Sequence, residues 1–278
     1  MMGSMSNSDW NSFARTNASQ RWRKPSAAMG RAMTEAIVAD AQIVPHLRVL
    51  DVPSGTGEPA ISIATALNGT GMVTATDISA EPLAIGEQRA RERNLSNIRF
   101  LVADVHALPF PDNSFERVTS RLGVMFFSDL PRALSEIHRV VTRDGRVTLL
   151  AWGPMLQPYF DVTIGTVLRH LPDAVVPASA ATMFKFAAPG TLSKSLQDAG
   201  FQNIDERQSE VSWNWPGTPE DFWAYFQEVT VPFKPLFKSI PDAVRDDINA
   251  AIMNELRGRY DGTQVQFNAQ IVLASAAK

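Results

Sequence analysis

Residues 47–57 read Leu-Arg-Val-Leu-Asp-Val-Pro-Ser-Gly-Thr-Gly: an apolar, β-branched run that ends in an acid and turns at glycines. A helix opens directly behind it at Glu58-Pro59, with Pro59 suited to a first helical position, where a missing N–H costs nothing. Asp77 follows twenty residues after Gly57. A strand, a glycine turn and a helix with a second acid at that distance form a nucleoside cradle. Backbone N–H groups at the helix start face the ligand, and the second acid accepts hydrogen bonds from ribose hydroxyls.

The charge of the turn bears on which nucleoside. Gly55, Gly57 and Ala60 satisfy G-x-G-x-x-A, which also suits a dinucleotide. Asp51, however, carries a carboxylate into the turn, where it would repel a pyrophosphate across a partly desolvated gap and attract an ammonium. S-adenosylmethionine (SAM) has a ribose and an ammonium and no phosphate, so Asp51 and Asp77 fit it better than NAD. A third apolar run, 98–103, ends at Asp104, followed by Val105 and His106. Asp104 is placed to accept from the adenine amino group, with Ile78 and Val105 on the two faces of the ring.

Three acids at three successive strand ends, with the segments 49–60, 73–78, 103–115 and 136–146, resemble class I SAM-dependent methyltransferases. The nearest branch holds the ubiquinone/menaquinone C-methyltransferases and many small-molecule methyltransferases. The resemblance is strong over about 45–153 and looser beyond. It implies an α/β fold, a doubly wound seven-stranded mostly parallel sheet of the Rossmann-like methyltransferase type, with SAM as cofactor. Two departures stand in the loop: Pro53 where the family has its first glycine, and Ser54 where cysteine is common. Proline has no N–H to offer, so the approach to SAM is expected through Ser54, Gly55, Thr56 and Gly57.

The 278 residues are 45% hydrophobic and carry a net charge of −3, enough for a sizeable core and no basic field for nucleic acid. There is no cysteine, hence neither disulfide nor thiolate metal site. No apolar run reaches the length of about 18 residues that a spanning helix needs. These features predict a cytoplasmic protein without membrane insertion, acting on a small molecule; they leave the oligomeric state open.

Strand and helix patterns alternate along the chain, as in a parallel sheet covered on both faces. Helical spacing runs over 26–44. Strands are expected at 47–52, 72–76, 98–103, 115–120, 146–152, 203–213 and 264–275. Helices are expected at 58–67, 79–94, 131–141 and 189–200, with Asp144-Gly145 read as a turn. Two domains follow: an N-terminal helical cap, 1–44, and a SAM-binding domain, 45–278. In the resembled branch the first helix carries aromatics that fold over SAM, which points to the 10–22 segment and to Trp22 beside Arg23.

Two insertions, about 154–188 and 216–262, leave the strands on the cofactor face and read as helical lids. The span 213–237 holds eight aromatics, one third of the chain's total. Most are expected to pack among themselves as a small core, and Trp223 and Phe226, with Met183, Phe184 and Phe186 of the first insertion, to line a chamber for a largely apolar acceptor.

Methyl transfer is an in-line displacement that needs orientation more than it needs a base. His46 precedes the first strand, at the far end of the sheet, and His138 sits among apolar helix residues. His106 is expected at the cofactor rim. His170, in the first insertion, is the best histidine for catalysis, although it also reads as a plain helix end. By the resemblance, Ser120, Arg121 and Leu122 pass between cofactor and acceptor; Arg121, the other catalytic candidate, reads equally as binding the methionine carboxylate or an acidic acceptor and as an ion pair with a neighbouring acid. No metal is expected. The rival readings are an NAD(P)-dependent oxidoreductase, opposed by Asp51 and by the lack of any Tyr-x-x-x-Lys, and a non-catalytic nucleoside-binding protein of the same fold.

Overall fold

Strand and helix alternate through the first half of the computed structural model, which describes residues 13–278 and side chains from 17 onward; Trp10 lies outside the described residues. Helices α1 (Phe13–Arg21), α2 (Arg23–Met29) and α3 (Arg31–Asp40) precede β1 (Arg48–Asp51), α4 (Ala60–Leu67), β2 (Met72–Asp77), α5 (Ala80–Glu92), β3 (Ile98–Val102) and β4 (Phe115–Arg121). Then come α6 (Leu130–Val140), β5 (Val141–Trp152), short helical turns between Pro158 and Phe184, and α7 (Thr191–Asp198). β6 (Gln202–Ser212), α8 (Pro219–Val229), α9 (Asp242–Arg257) and β7 (Asn268–Ala277) complete the chain.

The seven strands form one sheet in the order β3-β2-β1-β4-β5-β7-β6. β1 to β5 pair in parallel, with Asp51 beside both Ala75 and Thr119, and Asp77 beside Val102. β7 runs the other way: Gly153 N–H bonds the Gln270 carbonyl while Lys278 N–H bonds that of Gly145, so partner numbers fall as chain numbers rise. The chain winds outward from β1 to β3 and then returns to β4 on the other side of β1. That reversal makes the carboxyl ends of β1 and β4 the switch point where open α/β sheets bind ligands.

The chain folds as two compact units. The sheet unit comprises Met33–Ala151, Phe186–Ser209 and Ile271–Lys278. One of its cores sets the alternate residues Leu47, Val49, Val73 and Ala75 against Ala60, Ile63, Ala64 and Leu67 of α4. Period-two alternation on the strands and helical spacing on α4 bring these faces together. The helical unit comprises 13–32, Trp152–Lys185 and Glu210–Gln270.

Three expectations need correction. The helix read over 26–44 breaks at Gly30, the C-cap of α2, and residues 33–44 fold with the sheet rather than with the cap. Asp144-Gly145 is no turn before a strand, because β5 starts at Val141 straight out of α6. The pairing jumps from Phe115–Val141 to Arg117–Arg146, so the dipeptide forms a bulge inside the strand. A Cβ on Gly145 would stand 2.5 Å from Val141 Cγ1. Finally, α4 begins at Ala60, with Pro59 as its N-cap rather than its first residue.

The eight aromatics of 213–237 are all buried. Trp215 stacks on Tyr225 at 4.5 Å, Trp223 lies 6.0 Å from Phe226, and Tyr159 meets Trp213, Phe222 and Phe226 edge-on within 5.9 Å. They form the core of the helical unit. α8 is started by Thr218, which accepts from Asp221 N–H, with Pro219 behind it and two acids in the first turn.

Candidate cofactor site

The loop after β1 is held by its own chain. Ser54 N–H reaches the Thr76 carbonyl at 2.7 Å, Gly57 N–H the Ser54 carbonyl at 2.8 Å, and the Ser54 hydroxyl the Asp51 carbonyl at 2.9 Å. Gly55 has φ +51°, and a Cβ there would meet nothing within 4 Å. Its missing side chain leaves open space at the strand ends. Gly57 has a different reason to be glycine: at φ +105° a Cβ would stand 2.6 Å from Ile61 Cδ1 and 3.2 Å from Gly86 Cα. It lets α4 and α5 close on each other. Pro53 packs where Gly123 lacks a side chain, since a Cβ on Gly123 would fall 2.1 Å from Pro53 Cδ.

Asp77 organises the mouth of this loop. One carboxylate oxygen accepts Gly55 N–H at 2.9 Å and the other accepts Ser79 N–H at 3.0 Å. A carboxylate has about four lone-pair sites, and this one stands at the strand ends beside the open side of Gly55. Two residues not singled out from the sequence complete the support. Arg89 of α5 bonds the Thr56 carbonyl and pairs with Glu58 at 2.9 Å, both side chains nearly buried. An arginine at i+3 from Gly86 on the packed face of α5 was the available signal.

Asp51 is wholly buried at the end of β1. Its Oδ1 accepts the Thr119 hydroxyl at 2.7 Å, while Oδ2 has no hydrogen-bond partner among the described residues. Burial pushes this carboxyl up to about 7, against the weaker pull of the Ser54 and Thr119 hydroxyls and of the Arg121 charge. A buried carboxylate oxygen without a donor is costly to keep, and a ligand ammonium is the group that would complete it. The open side of Gly55 and the unsatisfied oxygen of Asp51 thus fit the methionine moiety of SAM.

At the end of β3, Asp104 Oδ1 accepts both the backbone N–H and Nδ1–H of His106, at 2.9 and 2.6 Å. The tautomer follows from the other nitrogen, because His106 Nε2 accepts Asp129 N–H at 3.2 Å. Burial opposes the Asp104 charge, but the two His106 hydrogen bonds, with the Arg132 charge, hold its carboxyl below the usual range. Ile78 is 41% exposed at the end of β2, a large apolar side chain left open as an adenine wall requires, and Val105 is buried.

β4 ends on Ser120, buried with no partner for its hydroxyl, and on Arg121, whose Nε–H points to the Glu58 carbonyl at 3.4 Å. Leu122 adopts φ +58°, a left-handed conformation that is an outlier for such a side chain, and its N–H bonds the Leu150 carbonyl at 2.8 Å. Strained backbone of this kind gathers at ligand sites.

Of the other candidate site residues from the sequence, Phe186 is buried in the sheet unit, and His170, Trp22, Met183, Phe184, Trp223 and Phe226 belong to the helical unit. His170 is exposed at a helix end, with Nδ1 on the Thr166 carbonyl at 2.9 Å, the plain helix-end arrangement. Trp22 is buried against Trp215 and Tyr225, and its Nε1–H donates to Glu228 at 2.8 Å, so packing accounts for it. Met183 and Trp223 are buried, Phe226 completely, and Phe184 packs on Phe160 at 4.9 Å. Trp223 gives its Nε1–H to Asn249 at 3.0 Å.

Residues 26–210 match the model of the ubiE/COQ5 methyltransferase family. The chain belongs to that family. A ubiquinone/menaquinone biosynthesis C-methyltransferase UbiE of Burkholderia cenocepacia is 32% identical over 191 residues, covering 64% of this chain and 77% of the relative. This member of the ubiE/COQ5 family is therefore a SAM-dependent methyltransferase of small molecules. Among solved structures, a SAM-dependent methyltransferase from Aquifex aeolicus aligns at TM-score 0.55 and 18% identity over 70% of this chain and 92% of its own. The [4+2]-cyclase SpnF aligns at TM-score 0.53 and 22% identity over 88% and 80%. Those two likenesses speak for the fold alone; a cyclase among them illustrates that one fold hosts several reactions.

Proposed function

We propose that this methyltransferase alkylates a carbon of a small, largely apolar, quinol-type ring. The observation that carries the reading is the likeness to the ubiquinone/menaquinone C-methyltransferase, together with the family match over 26–210, which takes in the loop after β1 and all three strand-end acids. Bound SAM supplies a methyl group on a positive sulfur, ready for displacement. What the chain contributes is placement: Asp77 toward the ribose, Asp51 toward the ammonium, and Asp104 with Ile78 toward the adenine. A ring held in line with that methyl gains most of its acceleration from orientation.

No protein base is assigned. His106 has both ring nitrogens engaged, one with Asp104 and one with Asp129 N–H, and His170 has its Nδ1 on a helix carbonyl. A phenolic proton then leaves to solvent as the carbon–carbon bond forms, and the hydrogen on the methylated carbon returns to the oxygen as a proton, restoring the ring. The oxidoreductase alternative is disfavoured by the same Asp51, whose buried carboxyl stands where a pyrophosphate would need donors. Incubating the protein with SAM and a panel of short-tailed hydroquinones, catechols and amines, with products placed by mass spectrometry and NMR, tests the reading. Ring-carbon methylation of the hydroquinones is expected; transfer only to oxygen or nitrogen would overturn it.

A further inference from the structure

Asp51 is an acid that the free protein does not complete. It lies at the end of β1, wholly buried, with one hydroxyl donor on Oδ1 and, among the described residues, nothing on Oδ2. The nearest second hydroxyl, that of Ser54, is given to the Asp51 main-chain carbonyl. The charged groups acting on the carboxyl are Arg121 and Glu58, of opposite sign, and Glu58 is itself held by Arg89. A carboxylate in that setting has lost its water and gained a single donor, which favours the neutral acid.

We propose that the free protein holds Asp51 as the neutral acid and that capture of the cofactor's ammonium expels its proton, coupling cofactor binding to release of one proton. The inference rests on the cofactor site described above. In the exchange, Asp51–COOH and a ligand –NH₃⁺ become a –COO⁻···⁺H₃N– pair, and the proton goes to the buffer. The sign follows from linkage. Burial sets the free carboxyl at about 7. Below that value the proton must be displaced, so affinity falls by up to tenfold for each further pH unit. Above it the acid limb is flat, until the ligand ammonium loses its own proton near the ordinary α-amino value of about 8. Affinity therefore peaks in a narrow window near neutrality.

The test is titration calorimetry with S-adenosylhomocysteine, which carries the same ammonium and cannot react, in paired buffers of different ionisation enthalpy. Close to one proton released at pH 6, and no net release by pH 7.5, is expected. Asp51→Asn should bind more weakly at pH 7.5 but show neither proton release nor a slope between pH 6 and 7.5. Thr119→Val, which removes the hydroxyl bonded to Oδ1, should move the acid limb to higher pH, and serves if the Asn variant does not fold. Equal affinity at pH 6 and 7.5 without proton release would overturn the inference while leaving the cofactor site standing. Absence of S-adenosylhomocysteine binding at every pH would sink the site itself.

Discussion

The loop from Asp51 to Glu58 and the aromatic core of the helical unit use their residues in opposite ways. The loop spends few side chains and fixes each: Ser54, Asp77 and Arg89 bond main-chain groups, and the glycines leave room. The helical unit spends many large side chains on one another; Tyr159 alone meets the rings of Trp152, Phe160, Trp213, Phe222, Phe226 and Phe267. In the loop a substitution should be felt by the ligand first. In the aromatic core it should be felt by stability first. Density of chemistry-bearing residue types is thus a poor guide to a site; a missing partner or a missing side chain is a better one.

Gly55→Val offers the sharpest break of that contrast. At the left-handed φ of Gly55 an added Cβ meets no atom of the described residues within 4 Å, so a branched side chain should project into the open space proposed for the ligand. Binding of SAM should become undetectable by calorimetry, while backbone strain of about 1–2 kcal/mol lowers the melting temperature only modestly. Full-strength SAM binding by the variant would show that the open side of Gly55 faces away from the cofactor.

Phe226→Ala probes the other region. The ring is completely buried between Tyr159, Phe222, Trp223 and Phe237. Its truncation should cost about 3–5 kcal/mol of stability in the helical unit, read by denaturant unfolding, with SAM affinity unchanged. A small stability loss coupled to a large rise in acceptor KM would instead place Phe226 on an acceptor surface, as its position in an aromatic-rich run suggests.

The two regions also differ in how much of them can be read from the chain. The cofactor site is local in sequence: an apolar strand, an acid, a glycine turn and an acid at fixed distance are enough to place Asp51, Gly55, Asp77 and Asp104 at adjacent strand ends. Non-local features are not legible. Arg89 reaches the loop from 33 residues away at Thr56 and 31 at Glu58, and only its spacing from Gly86 hints at it. Asp144-Gly145 misleads because turn chemistry also makes bulges, and only the pairing with β4 distinguishes them. Trp22 reads equally well from the sequence as a cofactor cover and as packing. Glu228, 206 residues away, takes its indole N–H, a contact that no local pattern announces.

Asp77→Ala gives the smallest effect of the three and separates two kinds of work inside the loop. Asp77 now accepts Gly55 N–H and Ser79 N–H, and with ligand it would also accept ribose hydroxyls. Loss of charged hydrogen bonds to the ribose should weaken SAM by about 2–3 kcal/mol, some 30- to 150-fold. If Asp77 mainly braces the turn, stability should fall while SAM affinity moves little, because Ser54 N–H on Thr76 and Gly57 N–H on Ser54 keep the loop path without it. Comparing SAM with an analogue lacking both ribose hydroxyls decides between the two. The variant should lose its preference for the hydroxyls if Asp77 binds them. It should keep that preference in full if the acid serves only the turn, and such retention would remove Asp77 from the cofactor site.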